Sequence, residues 1–415
     1  MKKVNKSDIF CLIFLFISLI SFFIGFILNE DLCTGGASWD FDLTWNVVLN
    51  YANYDFSGAD EFTRHVPLHY VLLSAVYKIF EDQYLVRIFY LSFSLLLPIF
   101  LYLNLKKIYN VEKKIIFTFS FSLLFIPFFR ATAIWPNAHL TALIFFVIGN
   151  YFYLKSINEK KLKNKLLNLL FMAFATYSIQ TYLFIFGYYL INYFIKEKKS
   201  TFVKLFLFCS ALGIPGLFMI GLNSRVSNIS ISKDIFYTLT TNFSIIFLFL
   251  FFLFFNKKNS NFIISAFKKL KKIEIVLLML FFSFIIYNLD HSMFTANLRG
   301  GGFFYKISHF IFNNNLIFFS SFFFGLLTSY LIIKHESNLI YVIILINLMG
   351  LNYQVYQKYF EPLFLILIFI LYKNFLTNNI LSSLRNVLYF YLILISYYSV
   401  AYINYIYKFS YKLVI

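Results

Sequence analysis

Runs of about 20 apolar residues recur along the whole chain, each long enough to cross the hydrocarbon of a bilayer. The first spans about 8–29, reads CLIFLFISLISFFIGFIL, and follows a basic MKKVNKSD. It is too long for a signal peptide and lacks a small-x-small cleavage site, so we read it as an uncleaved span. The runs are continuous and rich in Phe, Leu and Ile. They lack the alternating ~10-residue pattern of a β-barrel. In hydrocarbon every backbone N–H and C=O must be satisfied internally, which leaves helices. With 60% hydrophobic and 13% charged residues over 415 positions, the chain reads as an all-α polytopic membrane protein.

Charge sets the expected topology. The net charge is +18, and about 25 of the 36 Lys and Arg fall in short loops on one side of the expected spans. That is the positive-inside bias, not a nucleic-acid-binding surface. It places the N-terminus in the cytoplasm. Three cysteines, Cys11, Cys33 and Cys209, are scattered and imply no disulfide framework. No Cys or His spacing suggests zinc.

We expect about thirteen transmembrane helices in one integral membrane domain. After the first span, 8–29, comes an extracytoplasmic loop, 30–83. Core spans occupy 84–222 and additional spans 223–415. Within the core, Arg130 to Asn137 reads as a tight outer turn. Between the basic loops KSINEKKLKNK and KEKKSTFVK the chain must cross an even number of times. Two short helices broken near residues 177–181 satisfy that, with the turn at membrane depth beside other protein.

The loop 30–83 holds nine of the 18 acidic residues and only two basic ones, Arg64 and Lys78. Residues 42–54 have helical spacing, with Leu43, Val47 and Asn50/Tyr51 on one side. Pro67 suits the first turn of a second helix, 68–80, which is too short to span and belongs at the interface.

Asp40 and Asp42, flanked by Trp39, Phe41 and Trp45, would point about 200° apart on a helix, since successive residues turn by about 100°. They are therefore not a close carboxylate pair. A carboxylate beside tryptophan can act as a base toward a sugar hydroxyl; the plainer alternative is acids favoured by a helix start. Asp60 and Glu61 precede RHVPLHY at 64–70. Arg64 and His65 at a helix start suit a phosphate. The acids and histidines here also suit a divalent metal, although no fixed spacing names one and no cofactor is assigned. Arg87 opens the second span, where it can snorkel to headgroups or meet a lipid phosphate. Arg299 ahead of three glycines, and Lys358 within YQKYFEP, place further cations on the outer side.

The order of these elements resembles the GT-C superfamily of polyprenyl-phosphate-sugar glycosyltransferases, which includes protein O-mannosyltransferases and the lipid A aminoarabinose transferase. The resemblance rests on one span, a long outer loop with an early acid pair (WDFD, 39–42), HVPLHY at 65–70, and Arg87 at the start of the second span. It covers about the first 90 residues by motif. The family's pair is adjacent Asp-Glu and its proline pair stands here as Val66–Pro67, so Asp40 and Asp42 both remain candidates, with spacing favouring Asp42. The resemblance implies an inverting transfer of a sugar from a polyprenyl phosphate to an envelope glycan, lipid or protein. Asp42 or Asp40 would be catalytic. Arg64 and His65 would hold the lipid phosphate. We add Arg87, Arg299 and Lys358 as donor-phosphate contacts, and Trp39, Trp45, Asp60, Glu61, Tyr70 and Tyr359 as substrate contacts. The bilayer is the remaining partner, and no nucleic acid is expected.

Two other classes were weighed. O-antigen polymerases and ligases carry a late, arginine-bearing outer loop; here the loop is first and acidic. Lipid-linked oligosaccharide flippases predict internal repeats and charges lining the bundle, and neither is evident in the sequence. The topology makes a direct prediction. A cysteine introduced within 30–83 should react with a membrane-impermeant thiol reagent added from outside intact cells, and labelling only after lysis would overturn it.

Overall fold

The computed structural model describes residues 6–33, 36–55, 66–222, 235–290, 301–351, 356–357 and 360–407. Every regular element among them is an α- or 3-10 helix, and no strand occurs among the described residues. Among the described residues seven helices are long and apolar enough to cross a membrane, by length and composition: Asp8–Ile27, Gln83–Ile108, Ala138–Glu159, Lys199–Leu217, Ile235–Phe254, Leu316–His335 and Leu384–Ile406. Two sharply bent pairs raise the number to nine if each counts as one span. The chain is thus an α-helical protein with the spans of a membrane protein. It divides into two compact units, residues 1–107 with 120–229, and residues 108–119 with 230–415.

In the first unit, α1 (Lys6–Ile27) is followed by α2 (Gly36–Ala52), α3 (Leu68–Phe80), α4 (Gln83–Ser94) and α5 (Leu96–Ile108). Short α6 (Lys113–Phe121), most of which belongs to the second unit, precedes α7 (Pro127–Ile134) in the chain. Then come α8 (Ala138–Glu159), α9 (Leu162–Ser178), α10 (Leu183–Lys196) and α11 (Lys199–Leu222). α2 and α3 are the two short helices expected in the loop. The buried stripe of α2 differs from the expected one. It runs through Ala37, Phe41, Val48 and Ala52, with Val47 and Tyr51 beside it, and Leu43 is only half-buried. The aromatic ring of Phe41, not the aliphatic spacing, sets which face turns inward.

The break between α9 and α10 falls at Ile179, whose extended backbone leads into a 3-10 turn at Gln180–Tyr182. α8 and α9 pack closely because Gly149 lets Met172 approach, and the Gly149 carbonyl accepts from Asn168 Nδ2 at 2.9 Å. Asparagine and tyrosine then tie the helices together. Asn150 donates to Asn104 Oδ1 at 2.8 Å, Tyr189 donates to Asn150 Oδ1 at 2.5 Å, and Tyr193 donates to Asn168 Oδ1 at 3.1 Å. Side-chain hydrogen bonds are the usual glue where burial of apolar surface gives no preference for helix over lipid. On α11, Pro215 interrupts the helix. The Tyr177 hydroxyl inserts between the Leu212 carbonyl, to which it donates, and the Gly216 N–H, from which it accepts.

One expectation is overturned. Residues 130–134 are not an outer turn. Pro127 starts α7 after a 69° bend from the preceding helix, and all of α7 is buried. Arg130 is fully buried; its Nε donates to Glu30 Oε1 at 2.7 Å and Nη2 to Glu30 Oε2 at 3.0 Å. Nη2 also donates to the Ser21 carbonyl at 2.7 Å, and Nη1 to Ser21 Oγ at 3.2 Å. A Cβ on Gly25 would lie 2.6 Å from Arg130 Nη2 and 2.9 Å from Glu30 Oε2, so only glycine leaves room for the pair.

The second unit contains α12 (Ile235–Phe254), α13 (Lys257–Lys268), α14 (Lys272–Tyr287), α15 (Gly302–Phe312), α16 (Leu316–His335), α17 (Leu339–Met349), α18 (Leu363–Ile370), α19 (Phe375–Leu381) and α20 (Leu384–Tyr407). α12 and α16 are its packed centre. Gly325 on α16 sits against the Phe243 carbonyl of α12, with Ser244 and Ser321 hydrogen-bonded at 2.6 Å. α18 and α19 are bent by 90° relative to each other. Asn374 makes the corner: its Nδ2 donates to the Ile368 carbonyl and its Oδ1 accepts from the Thr377 N–H.

Breaking a buried pair strands a charge and costs about 3–5 kcal/mol, whereas removing both charges can be neutral. Arg130→Met should therefore lower the melting temperature of the purified protein sharply. Glu30→Met combined with Arg130→Met should recover most of the loss. A double variant as unstable as the single one would show that the pair is not what is being broken. Gly25→Ala should destabilise in the same direction.

Candidate functional site

The candidate site is the part of the first unit built around α2, α3 and the start of α4, and its acids divide by role. Glu30 is taken by Arg130. Asp31 is 2% exposed and accepts from the N–H groups of Cys33, Ala37 and Ser38 at 2.8–3.0 Å, and from Ser38 Oγ at 2.9 Å. It therefore satisfies orphan donors in the first turn of α2, as a helix cap does. Glu81 takes the left-handed conformation that ends α3, and Asp82 caps α4 by accepting from the Leu85 N–H at 2.8 Å. On and just after α2 stand three more acids, Asp40, Asp42 and Asp55, of which Asp42 and Asp55 are exposed and Asp40 is half-buried.

α2 presents Asp40 and Asp42 on different faces. Asp42 is exposed, in line with exposed Trp39 and Asn46 one helical turn to either side. Asp40 is half-buried, turned toward the side where α3 packs. Its charge bears on buried Tyr70, whose hydroxyl pKa is raised, first by burial and then by Asp40. Tyr70 is thus a neutral hydroxyl at every physiological pH. The two acids differ in exposure, as residues about 200° apart on a helix do. Trp39, beside Asp40 in sequence, is 60% exposed. Trp45 instead packs between Phe41, with centroids at 5.3 Å, and Tyr77, at 5.6 Å.

Arg87 is buried, at 7% exposure, and does not snorkel. Its Nε donates to the Ile134 carbonyl at 3.1 Å and its Nη2 to Asn29 Oδ1 at 2.8 Å. Its guanidinium lies over Trp135, 3.7 Å from the ring centre. Asn29 adopts φ 52°, a conformation asparagine tolerates better than most residues. Asp42 is among the charges that act on Arg87. Arg87 thus joins the end of α1 to the end of α7 and lies within the electrostatic reach of the exposed acid.

Trp135 and His69 are the residues that sequence reasoning passed over. Trp135 lies beside Phe41, with centroids at 6.0 Å, and its buried Nε1 has no hydrogen-bond partner among the described residues. A buried N–H left unpaired marks a place where a ligand oxygen or a water can bind. His69 is buried; its Nδ1 is 2.8 Å from Thr141 Oγ1, which is also 2.8 Å from the Tyr90 hydroxyl. Tyr90 donates to the Asn137 carbonyl at 2.8 Å. This chain fixes α3 and α4 against the start of α8. Trp135 stood in the stretch read as an outer turn. No sequence signal marked it, because its neighbours come from α2 and α4.

Seven of the expected site residues lie outside the described residues: Asp60, Glu61, Arg64, His65, Arg299, Lys358 and Tyr359. The metal reading of the 60–69 stretch falls largely there too. Among the described residues no group of three or more His, Cys, Asp or Glu could hold a metal ion. In the second unit, near expected Lys358 and Tyr359, buried Glu361 accepts from Tyr397 Oη at 2.7 Å and from Gln357 Nε2 at 3.3 Å. Gln357 Oε1 accepts from the Phe303 N–H at 2.9 Å, at the start of α15.

Loss of the α2 cap should be local. Asp31→Ala removes four hydrogen bonds to the start of the helix, and cap losses cost about 0.5–2 kcal/mol. Amide exchange in 36–52 should accelerate while exchange in α8 and α9 stays as it was. A uniform acceleration would mean that Asp31 supports the whole unit.

A scan against protein-family models finds no match, and neither a search of curated proteins nor a search of solved structures finds one.

Proposed function

We propose that this protein is an inverting glycosyltransferase of the GT-C kind, which moves a sugar from a polyprenyl-phosphate donor to an envelope glycan, lipid or protein. In this reading about thirteen helices cross a bacterial plasma membrane, with the N-terminus cytoplasmic and the reaction at the extracytoplasmic face.

One observation carries the reading: α2 holds an exposed Asp42 in line with an exposed Trp39, and the charge of Asp42 acts on buried Arg87, which lies over half-buried Trp135. An indole offers a sugar ring a flat apolar face. A carboxylate in line with it can accept the proton of an acceptor hydroxyl as that hydroxyl attacks the anomeric carbon. The bond to the lipid phosphate then breaks, and the phosphate leaves with the bonding electrons. A preorganised cation such as Arg87 stabilises the charge that develops on it. Trp135 Nε1 supplies a donor without a protein partner for a substrate oxygen. Asp42 serves as base because it is the exposed acid; Asp40, against Tyr70, positions α2 on α3.

The test is transfer from a radiolabelled polyprenyl-phosphate sugar by the reconstituted protein. Asp42→Asn should lower the rate by about 10²–10⁴-fold, the usual contribution of a general base, with smaller loss for Asp40→Asn. Wild-type transfer by both variants would remove the base from this reading. Arg87→Lys keeps the charge and loses the planar stack on Trp135, and should lower turnover while leaving α2 capped.

A further inference from the structure

The second unit has a cleft that the transfer reading does not use. It is a cavity of about 330 Å³ where the end of α12 meets the starts of α13 and α20, lined by Phe252, Asn256, Lys257, Arg385, Tyr389 and Phe390 among others. That is within the range of small-molecule sites, ~300–1,000 Å³. Its two walls differ in chemistry. Phe252 and Phe390 are buried and apolar, whereas Lys257 and Arg385 are exposed cations at the rim.

The cleft is held open by amides. Asn259, fully buried, donates to the carbonyls of Leu253 and Leu376 at 2.9 and 3.2 Å and accepts from Asn379 Nδ2 at 2.8 Å. Asn386 Nδ2 donates to the Asn379 carbonyl at 2.9 Å, and Asn256 caps α13 through the N–H groups of Lys258 and Asn259. These amides are spent on each other and on the backbone, so recognition falls to the cations. Arg385 Nε and Nη2 both donate to the Tyr389 hydroxyl, at 3.1 and 2.9 Å, which aims the guanidinium along α20. Among the described residues neither Lys257 nor Arg385 forms an ion pair. Glu274, in the first turn of α14, is taken by Lys334 and Tyr330.

Two further facts select the ligand. α20 is of membrane-spanning length and mostly unburied, with Tyr389 and Leu392 exposed beside the cleft. The cleft therefore opens toward lipid. Six lysines lie between 257 and 272, so the positive-inside bias puts this end of the unit in the cytoplasm. Basic pockets between helices on that side suit lipid headgroups. We propose that this cleft binds the phosphate of an anionic phospholipid of the cytoplasmic leaflet through Lys257 and Arg385, with an acyl chain against Phe390 and along α20. A free phosphate would satisfy the cations but leave the aromatic wall without a role.

The test uses the purified full-length protein in a neutral detergent, titrated with dioleoylphosphatidylglycerol, dioleoylphosphatidylcholine or inorganic phosphate and read by native mass spectrometry. Phosphatidylglycerol should be retained over phosphatidylcholine. Lys257→Gln and Arg385→Gln should each weaken it about fivefold, and together about twenty-fivefold, at the usual worth of one surface cation. Arg385→Lys should keep the preference, and Lys268→Gln, an exposed lysine outside the cleft, should leave it unchanged. Equal binding of both lipids would overturn the proposal. So would unchanged binding in the double variant, or an equal loss with Lys268→Gln. Displacement by equimolar inorganic phosphate would replace the lipid with a free anion.

Discussion

The first unit depends on a buried ion pair. Arg130 and Glu30 are 100 residues apart in sequence, and both are shut away from water. Neither charge can be left alone there without a large desolvation penalty. The guanidinium is therefore surrounded by acceptors: both carboxylate oxygens, Ser21 Oγ and the carbonyls of Ser21 and Leu124. The pair clamps the C-terminal end of α1 to α7 and demands a glycine at position 25. On either side of Glu30 the same clamp continues. Asn29 meets Arg87, and Asp31 caps α2.

This clamp explains why an acidic segment follows the first span. Much of its charge is structural: one acid neutralises a buried arginine, one caps α2, and one caps α4. Capping satisfies backbone N–H groups that have no partner within the helix, and a carboxylate is a strong acceptor for them. What remains is a helix fixed at its start by Asp31 and along its length by Phe41, Val48 and Tyr51, with Asp42 and Trp39 on its open side. A side chain on a helix held in this way is better placed for chemistry than one on a loop.

The general character of the chain was legible from sequence because it follows from local length and composition. Apolar runs announce helices. Pro67 announces the second short helix, and a polar YSIQT at 177–181 announces a break between basic loops. The opposite faces of Asp40 and Asp42 follow from helical rotation alone. The position of Arg130 was not legible, because an arginine next to Trp-Pro looks like an interfacial turn until its partner is known. The Asn256–Asn259–Asn379–Asn386 lattice was hidden for the same reason: asparagine is common throughout this chain, and only proximity distinguishes a buried amide ladder from solvated loop residues.

By itself, then, the sequence determined that this is a helical membrane protein, where its cations gather and which loop concentrates its acids. These properties depend on runs of neighbouring residues and on the cost of moving polar groups into hydrocarbon. Tertiary structure alone decided which acids are spent on structure and which stand exposed, and that Arg87 lies on Trp135 instead of reaching for headgroups. It also decided that Lys257 and Arg385 border one cleft. Those outcomes turn on partners tens to more than a hundred residues away, and no local pattern encodes the distance between them.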